Sequence, residues 1–92
     1  MTTTKSASLF PPGKIVATRG ALALGISFLP FLRRHLRGDW GGVCEEDAQA
    51  NRDAVELGLR ILSSYTTPND EKFWIITEAD RSATTILLPE EY

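Results

Sequence analysis

His35 and Asp39 stand four residues apart, a spacing that would place both on one face of a helix, and Cys44 and Glu45 follow soon after. An imidazole, a carboxylate and a thiol in one neighbourhood are the parts of a general acid–base pair or a small metal site. The chain holds one His and one Cys, however, and metal or nucleophile sites need fuller ligand sets at recurring spacing. The plainer reading is a histidine at a helix C-terminus, where the dipole favours a cation, followed by a loop aspartate. No G-x-S-x-G elbow, Walker loop, H-E-x-x-H or C-x-x-C occurs in the sequence. Gly38, Gly41 and Gly42 do not follow a predicted strand, which weakens a phosphate-cradling role. The expectation is no catalytic residue, no metal, no cofactor and no enzymatic activity.

Arg33, Arg34 and Arg37 surround that histidine and make the one dense basic patch. Such a cluster grips phosphate or an acidic protein surface. It is also what the solvated face of an amphipathic helix looks like, and Asp39, Glu45 and Glu46 dilute its field. Glu78, Asp80 and Arg81 surround a later turn, as a recognition tip or as ordinary turn chemistry. Trp40 sits among glycines and is expected to fold back as a plug. Trp74 alternates with Phe73, so if Phe73 faces inward, Trp74 lies on the outer side of its strand. An uncovered aromatic patch on a small domain marks an interface. The candidate binding residues are therefore Arg33, Arg34, Arg37, Trp40, Trp74, Glu78, Asp80 and Arg81.

These residues need elements to hold them. Met1 to Ser8 has almost nothing to bury and reads as a disordered tail, leaving 9–92 as one α+β domain. Pro11-Pro12-Gly13 forces an extended entry, and Lys14 to Thr18 is β-branched, either a short N-terminal strand or an extended lead-in. Thr18 can N-cap a helix over Arg19 to Leu24, which Gly25 closes. Ser27 can cap a second helix from Phe28 to Arg37, with Pro30 tolerated in its first turn. The third helix begins at Glu45, with Glu46 and Asp47 also in its positive first turn, and ends at Leu57 before Gly58. Its inner face is small: Ala48, Asn51, Ala54 and Val55.

Past Gly58 the period shortens from 3.6 to 2. Leu59 to Thr66 alternates, with Ile61, Ser63 and Tyr65 on one side. Lys72 to Glu78 is the most strand-like run, and Ala83 to Leu88 supplies a last strand that Pro89 ends. Short connections favour antiparallel neighbours. The architecture expected is three short helices packed on a C-terminal three-stranded antiparallel β-meander.

Composition sets outer limits. Hydrophobic residues are 42% and charged ones 24% of the 92, an ordinary globular balance that excludes wholesale disorder. A net charge of -2 disfavours a generally basic nucleic-acid binder. One cysteine excludes an internal disulfide. No run approaches the ~20 apolar residues that span a bilayer, and Met1 to Ser8 lacks the apolar core of a signal peptide. A cytoplasmic protein without a membrane partner is the expectation.

Three blocks together carry a resemblance: FPPGKIVAT at Phe10 to Thr18, RHLRGDWG at Arg34 to Gly41, and WIITEADRSATTILLPEEY at Trp74 to Tyr92. They resemble small, uncharacterised "plasmid-related" bacterial proteins encoded on plasmids and integrative elements. This chain departs from their pattern at Arg19, where they commonly have Pro, and over Gly25 to Phe31, which is more apolar here. The resemblance implies a mobile-element setting and supplies no activity or site residue. Taken with the missing catalytic spacing, it points to a protein-binding module acting on a host or element protein, such as an inhibitor of a CRISPR or restriction complex, or pairing as a homodimer. A nucleic-acid-binding regulator using Arg33, Arg34 and Arg37 is the alternative.

Overall fold

The computed structural model describes residues 8–92. The expected N-terminal tail, apart from Ser8, lies outside them. In chain order the elements are β1 (Lys14–Ala17), α1 (Arg19–Leu22), α2 (Leu29–Leu36), α3 (Glu45–Leu57), β2 (Ile61–Thr66), β3 (Lys72–Thr77) and β4 (Ala83–Leu87), with a 3-10 turn at Pro89–Glu91.

The expected three-stranded antiparallel meander is corrected by a four-stranded mixed sheet in the order β1-β4-β3-β2. β2, β3 and β4 pair antiparallel, but β1 lies parallel to β4, with Lys14 opposite Ala83 and Ala17 opposite Ile86. Short connections reveal pairing between sequence neighbours only, and this contact joins the two ends of the chain. The amides of Lys14 and Thr18 donate to the carbonyls of Ser82 and Ile86, at 3.0 and 2.9 Å. Gly13 makes the approach feasible: at φ +65, a Cβ there would fall 2.3 Å from the Arg81 carbonyl oxygen.

Local signals set most boundaries. The Thr18 hydroxyl accepts from the Ala21 amide and caps α1, which stops at Leu22, short of the expected Leu24. Pro30 occupies the first turn of α2, where an amide hydrogen is dispensable; Phe28, not Ser27, takes the N-cap position, without a side-chain cap. Glu45, Glu46 and Asp47 open α3, and Gly58 closes it at φ 71. Glu91 returns to the start of α1, accepting from the Thr18 hydroxyl at 2.5 Å and the Gly20 amide at 3.1 Å. Those bonds, led by the one from Thr18, hold the Glu91 carboxyl below its ordinary range.

Alternation places Ile61, Ser63, Tyr65, Phe73, Ile75, Thr77, Thr84 and Ile86 on the inner face, all buried. α1 and α2 cover this face, with Ala21 and Leu32 packed against Tyr65, Phe73, Ile75 and Ile86. Phe31 meets the Phe73 ring edge-on at 5.0 Å. A second cluster joins Phe10, Trp40, Ala54 and Ile61, so Trp40 is the plug its glycine-rich loop foreshadows.

α3 lies along the free edge of β2. The Asn51 side chain donates to the Leu62 carbonyl at 2.7 Å and accepts from the Leu62 amide at 3.1 Å, replacing a missing strand. The loop before α3 completes the cover: Ser64 donates to the Trp40 carbonyl and Gly42 donates to the Ser64 carbonyl. On the outer face Ile76 and Leu87 are buried, and the Tyr92 ring lies edge-on to half-buried Trp74 at 5.7 Å. Among the described residues, no helix is long and apolar enough to cross a membrane.

Candidate functional site

The residues from Arg33 to Arg37 occupy the last turn and C-cap of α2. Successive side chains on a helix point about 100° apart, and their fates diverge accordingly. His35 faces the sheet and is fully buried. Its Nδ1 lies 2.5 Å from the Ser63 hydroxyl and its Nε2 lies 2.9 Å from the Thr77 hydroxyl. Thr77 in turn lies 2.8 Å from the Thr84 hydroxyl, which donates to the Pro12 carbonyl at 2.7 Å.

That carbonyl only accepts, and it sets the direction of the whole chain. Thr84 gives its proton to Pro12, Thr77 gives its own to Thr84, and His35 Nε2–H therefore donates to Thr77. Nδ1 is left as the acceptor for Ser63. The imidazole is held neutral, and burial pushes its pKa down to about 4. Phe10 and Trp40 meet its ring edge-on at 5.4 and 6.0 Å. This network ties α2 to β2, β3, β4 and the entry segment, and among the described residues no buried side-chain polar atom lacks a partner.

Asp39 does not join His35. It is exposed and forms a two-point pair with Arg34, Nε to Oδ2 at 2.8 Å and Nη2 to Oδ1 at 3.3 Å. The Arg34 hydrogen bond holds the Asp39 carboxyl below its usual range. The same guanidinium lies 4.8 Å from the centre of the Tyr65 ring. Tyr65 donates its hydroxyl to the Asp39 carbonyl at 2.6 Å, and burial raises its pKa to about 12. Cys44 is exposed at the start of α3, and Glu45 pairs with Arg52 at 2.6 Å. Among the described residues no group of three His, Cys, Asp or Glu is placed to hold a metal.

The turn residues Glu78, Asp80 and Arg81 are engaged within the molecule. Glu78 pairs with Arg60 at 3.3 Å. Asp80 accepts from the Ser82 amide at 2.9 Å. Arg81 donates to three carbonyls, those of Ala54, Leu59 and Glu78, at 2.8, 2.7 and 3.2 Å. It thus adds a charged donor to the Ala54 carbonyl, which already accepts from the Gly58 and Leu59 amides. Trp74 stands apart on the outer face, beside a groove of about 390 Å³ that Val43, Leu62 and Lys72 also line.

What remains is a groove. Arg33 and Arg37 are exposed, one turn apart, and among the described residues neither makes an ion pair or a side-chain hydrogen bond. Arg37 stands between two adjoining hollows. One, of about 240 Å³, is lined by Leu9, Arg37, Gly38, Trp40, Arg52 and Val55. The smaller, about 100 Å³, is lined by Ser8, Arg33, Leu36 and Arg37.

Set against known protein families, curated proteins and solved structures, the chain shows no match. The site therefore rests on its own geometry. Of the sequence-derived candidates, Arg33, Arg37 and Trp40 converge here. Arg34 is spent on Asp39, while Trp74, Glu78, Asp80 and Arg81 lie elsewhere. Leu9, Arg52 and Val55 complete the hollow without having been singled out for binding. Only the small inner face of α3 hinted at Val55, and nothing in the linear pattern links Leu9 to it.

Proposed function

We propose that this chain is a non-catalytic protein-binding module that engages its partner through the groove beside the C-terminal end of α2. One observation carries the reading: Arg37, which makes no ion pair or side-chain hydrogen bond among the described residues, lines an apolar hollow open to solvent, and Arg33 lines the smaller hollow beside it. Buried apolar anchors surrounded by charge are how protein interfaces are built. The sole imidazole supports the non-catalytic part, being enclosed and hydrogen-bonded at both nitrogens. A mobile-element setting, a cytoplasmic location and a defence-complex target extend the same proposal, on the strength of the sequence resemblance alone.

The test compares the wild-type protein with Arg33→Glu/Arg37→Glu as in-cell crosslinking baits. At least one protein should crosslink to the wild type, be lost with the double variant, and bind the purified wild type saturably. Recovery of nucleic acid instead, released as salt rises, would replace this reading with a phosphate-binding one.

A further inference from the structure

The groove is not uniform, and its asymmetry describes what fits it. Arg34, Arg52, Arg60 and Arg81 are each committed inside the molecule. Among the described residues Arg33 and Arg37 are not, nor is Arg19, which lines neither hollow, and residues 1–7 contain no carboxylate. Their charges are therefore available to an outside anion. Between Arg37 and Arg52 the wall is apolar, made of Leu9, Trp40 and Val55. Leu9 is 50% exposed at this rim, an aliphatic surface in contact with water.

From this juxtaposition we infer that the groove receives an acidic segment of a partner protein. One large aliphatic or aromatic side chain of that segment seats against Leu9, Trp40 and Val55, and neighbouring carboxylates pair with Arg33 and Arg37. The inference rests on the protein-binding reading and names the partner's chemistry. A nucleic-acid backbone matches the groove less well. It offers no aliphatic group for the hollow that Leu9, Trp40 and Val55 line. Arginine's planar fork suits two-point pairing with a carboxylate, and the apolar anchor supplies the register that charge alone lacks.

The test is an unbiased selection from a phage-displayed library of random peptides against immobilised full-length protein. Enriched peptides are then titrated in solution against the wild type, Arg33→Glu/Arg37→Glu and Val55→Asp. Selected sequences should share a large apolar residue flanked by Asp or Glu. Binding should weaken by about tenfold or more in the charge-reversed variant, and the peptide should shift the Trp40 indole N–H resonance while leaving that of Trp74 in place. The arginine variant changes only exposed side chains, so its folding is checked by an unchanged thermal midpoint.

Neutral or basic selected sequences, or acidic ones that bind Arg33→Glu/Arg37→Glu undiminished, would overturn the acidic partner while leaving protein binding intact. So would a resonance shift confined to Trp74. Failure to enrich any peptide would overturn both. A short DNA duplex that displaces an enriched peptide and binds more tightly would overturn the protein-binding reading itself.

Discussion

Arg33 and His35 lie two residues apart on α2, yet among the described residues one is exposed without a side-chain partner and the other is fully buried with both ring nitrogens hydrogen-bonded. Beneath the helix, the chain of hydroxyls from Ser63 and Thr77 to Thr84 and Pro12 uses up the donors and acceptors that meet there. Alongside it, Arg37 lines an apolar hollow and Arg33 the smaller one beside it, and among the described residues neither makes an ion pair or a side-chain hydrogen bond. A reactive side-chain type signals chemistry only when its bonding capacity is still open. In this molecule the imidazole, the best general base on paper, is structural, and the ordinary-looking arginines are the available groups.

The contrast breaks most sharply at His35. Replacing it with Ala should remove about 3–4 kcal/mol of stability, by opening a cavity and stranding Ser63 and Thr77. Urea unfolding measures this. A loss below 1 kcal/mol would mean the buried network is not what joins α2 to the sheet. His35→Gln, which can still donate and accept, should recover part of the loss.

Acid tests the same network in the wild type. The unfolded histidine takes up its proton near pH 6.5, whereas the folded one resists until about pH 4. Between those values the unfolded state carries more protons, so stability falls as pH drops from 6.5 towards 4. The loss should reach roughly 3 kcal/mol. Asp39, Asp80 and Glu91 are all held below their ordinary values and lose their contributions only at more acid pH. The slope above about pH 5.5 thus belongs to His35, and it should vanish in His35→Gln.

Arg81→Ala should cost about 2–3 kcal/mol by thermal or urea unfolding, because three carbonyls lose a charged donor. Asn51→Ala should cost about 2 kcal/mol and expose the edge of β2 at Leu62. Concentration-dependent association by sedimentation is the second expected sign of that open edge. Smallest of all, Arg33→Glu/Arg37→Glu should stay within about 0.5 kcal/mol of the wild type. A large destabilisation there would show that these arginines are structural after all, and would erase the distinction between the two sides of α2.

Much of the local architecture was legible in the sequence. The limits of α3 followed from its acidic first turn and from Gly58, and the inward set of β2 followed from strict alternation of Ile61, Ser63 and Tyr65. The partner of β1 did not. KIVA is a short β-branched run with no mark of direction or neighbour, and β4 is some 70 residues away along the chain. The groove was half legible. Composition and helical spacing singled out Arg33, Arg34 and Arg37 together, but spacing does not show that Asp39 would occupy Arg34 alone.

Residues 8–92 themselves dictated the capped helices, the strand periodicities and the inward-facing apolar set, because each depends on steric and hydrogen-bonding preferences acting within a few positions. The closure of the sheet by its first strand, the burial of the single histidine and the separation of two exposed arginines from a paired one depended on contacts between distant segments. Those contacts form only when apolar faces come together and bring particular hydroxyls, carbonyls and carboxylates within bonding reach, and no local preference encodes which of them will meet.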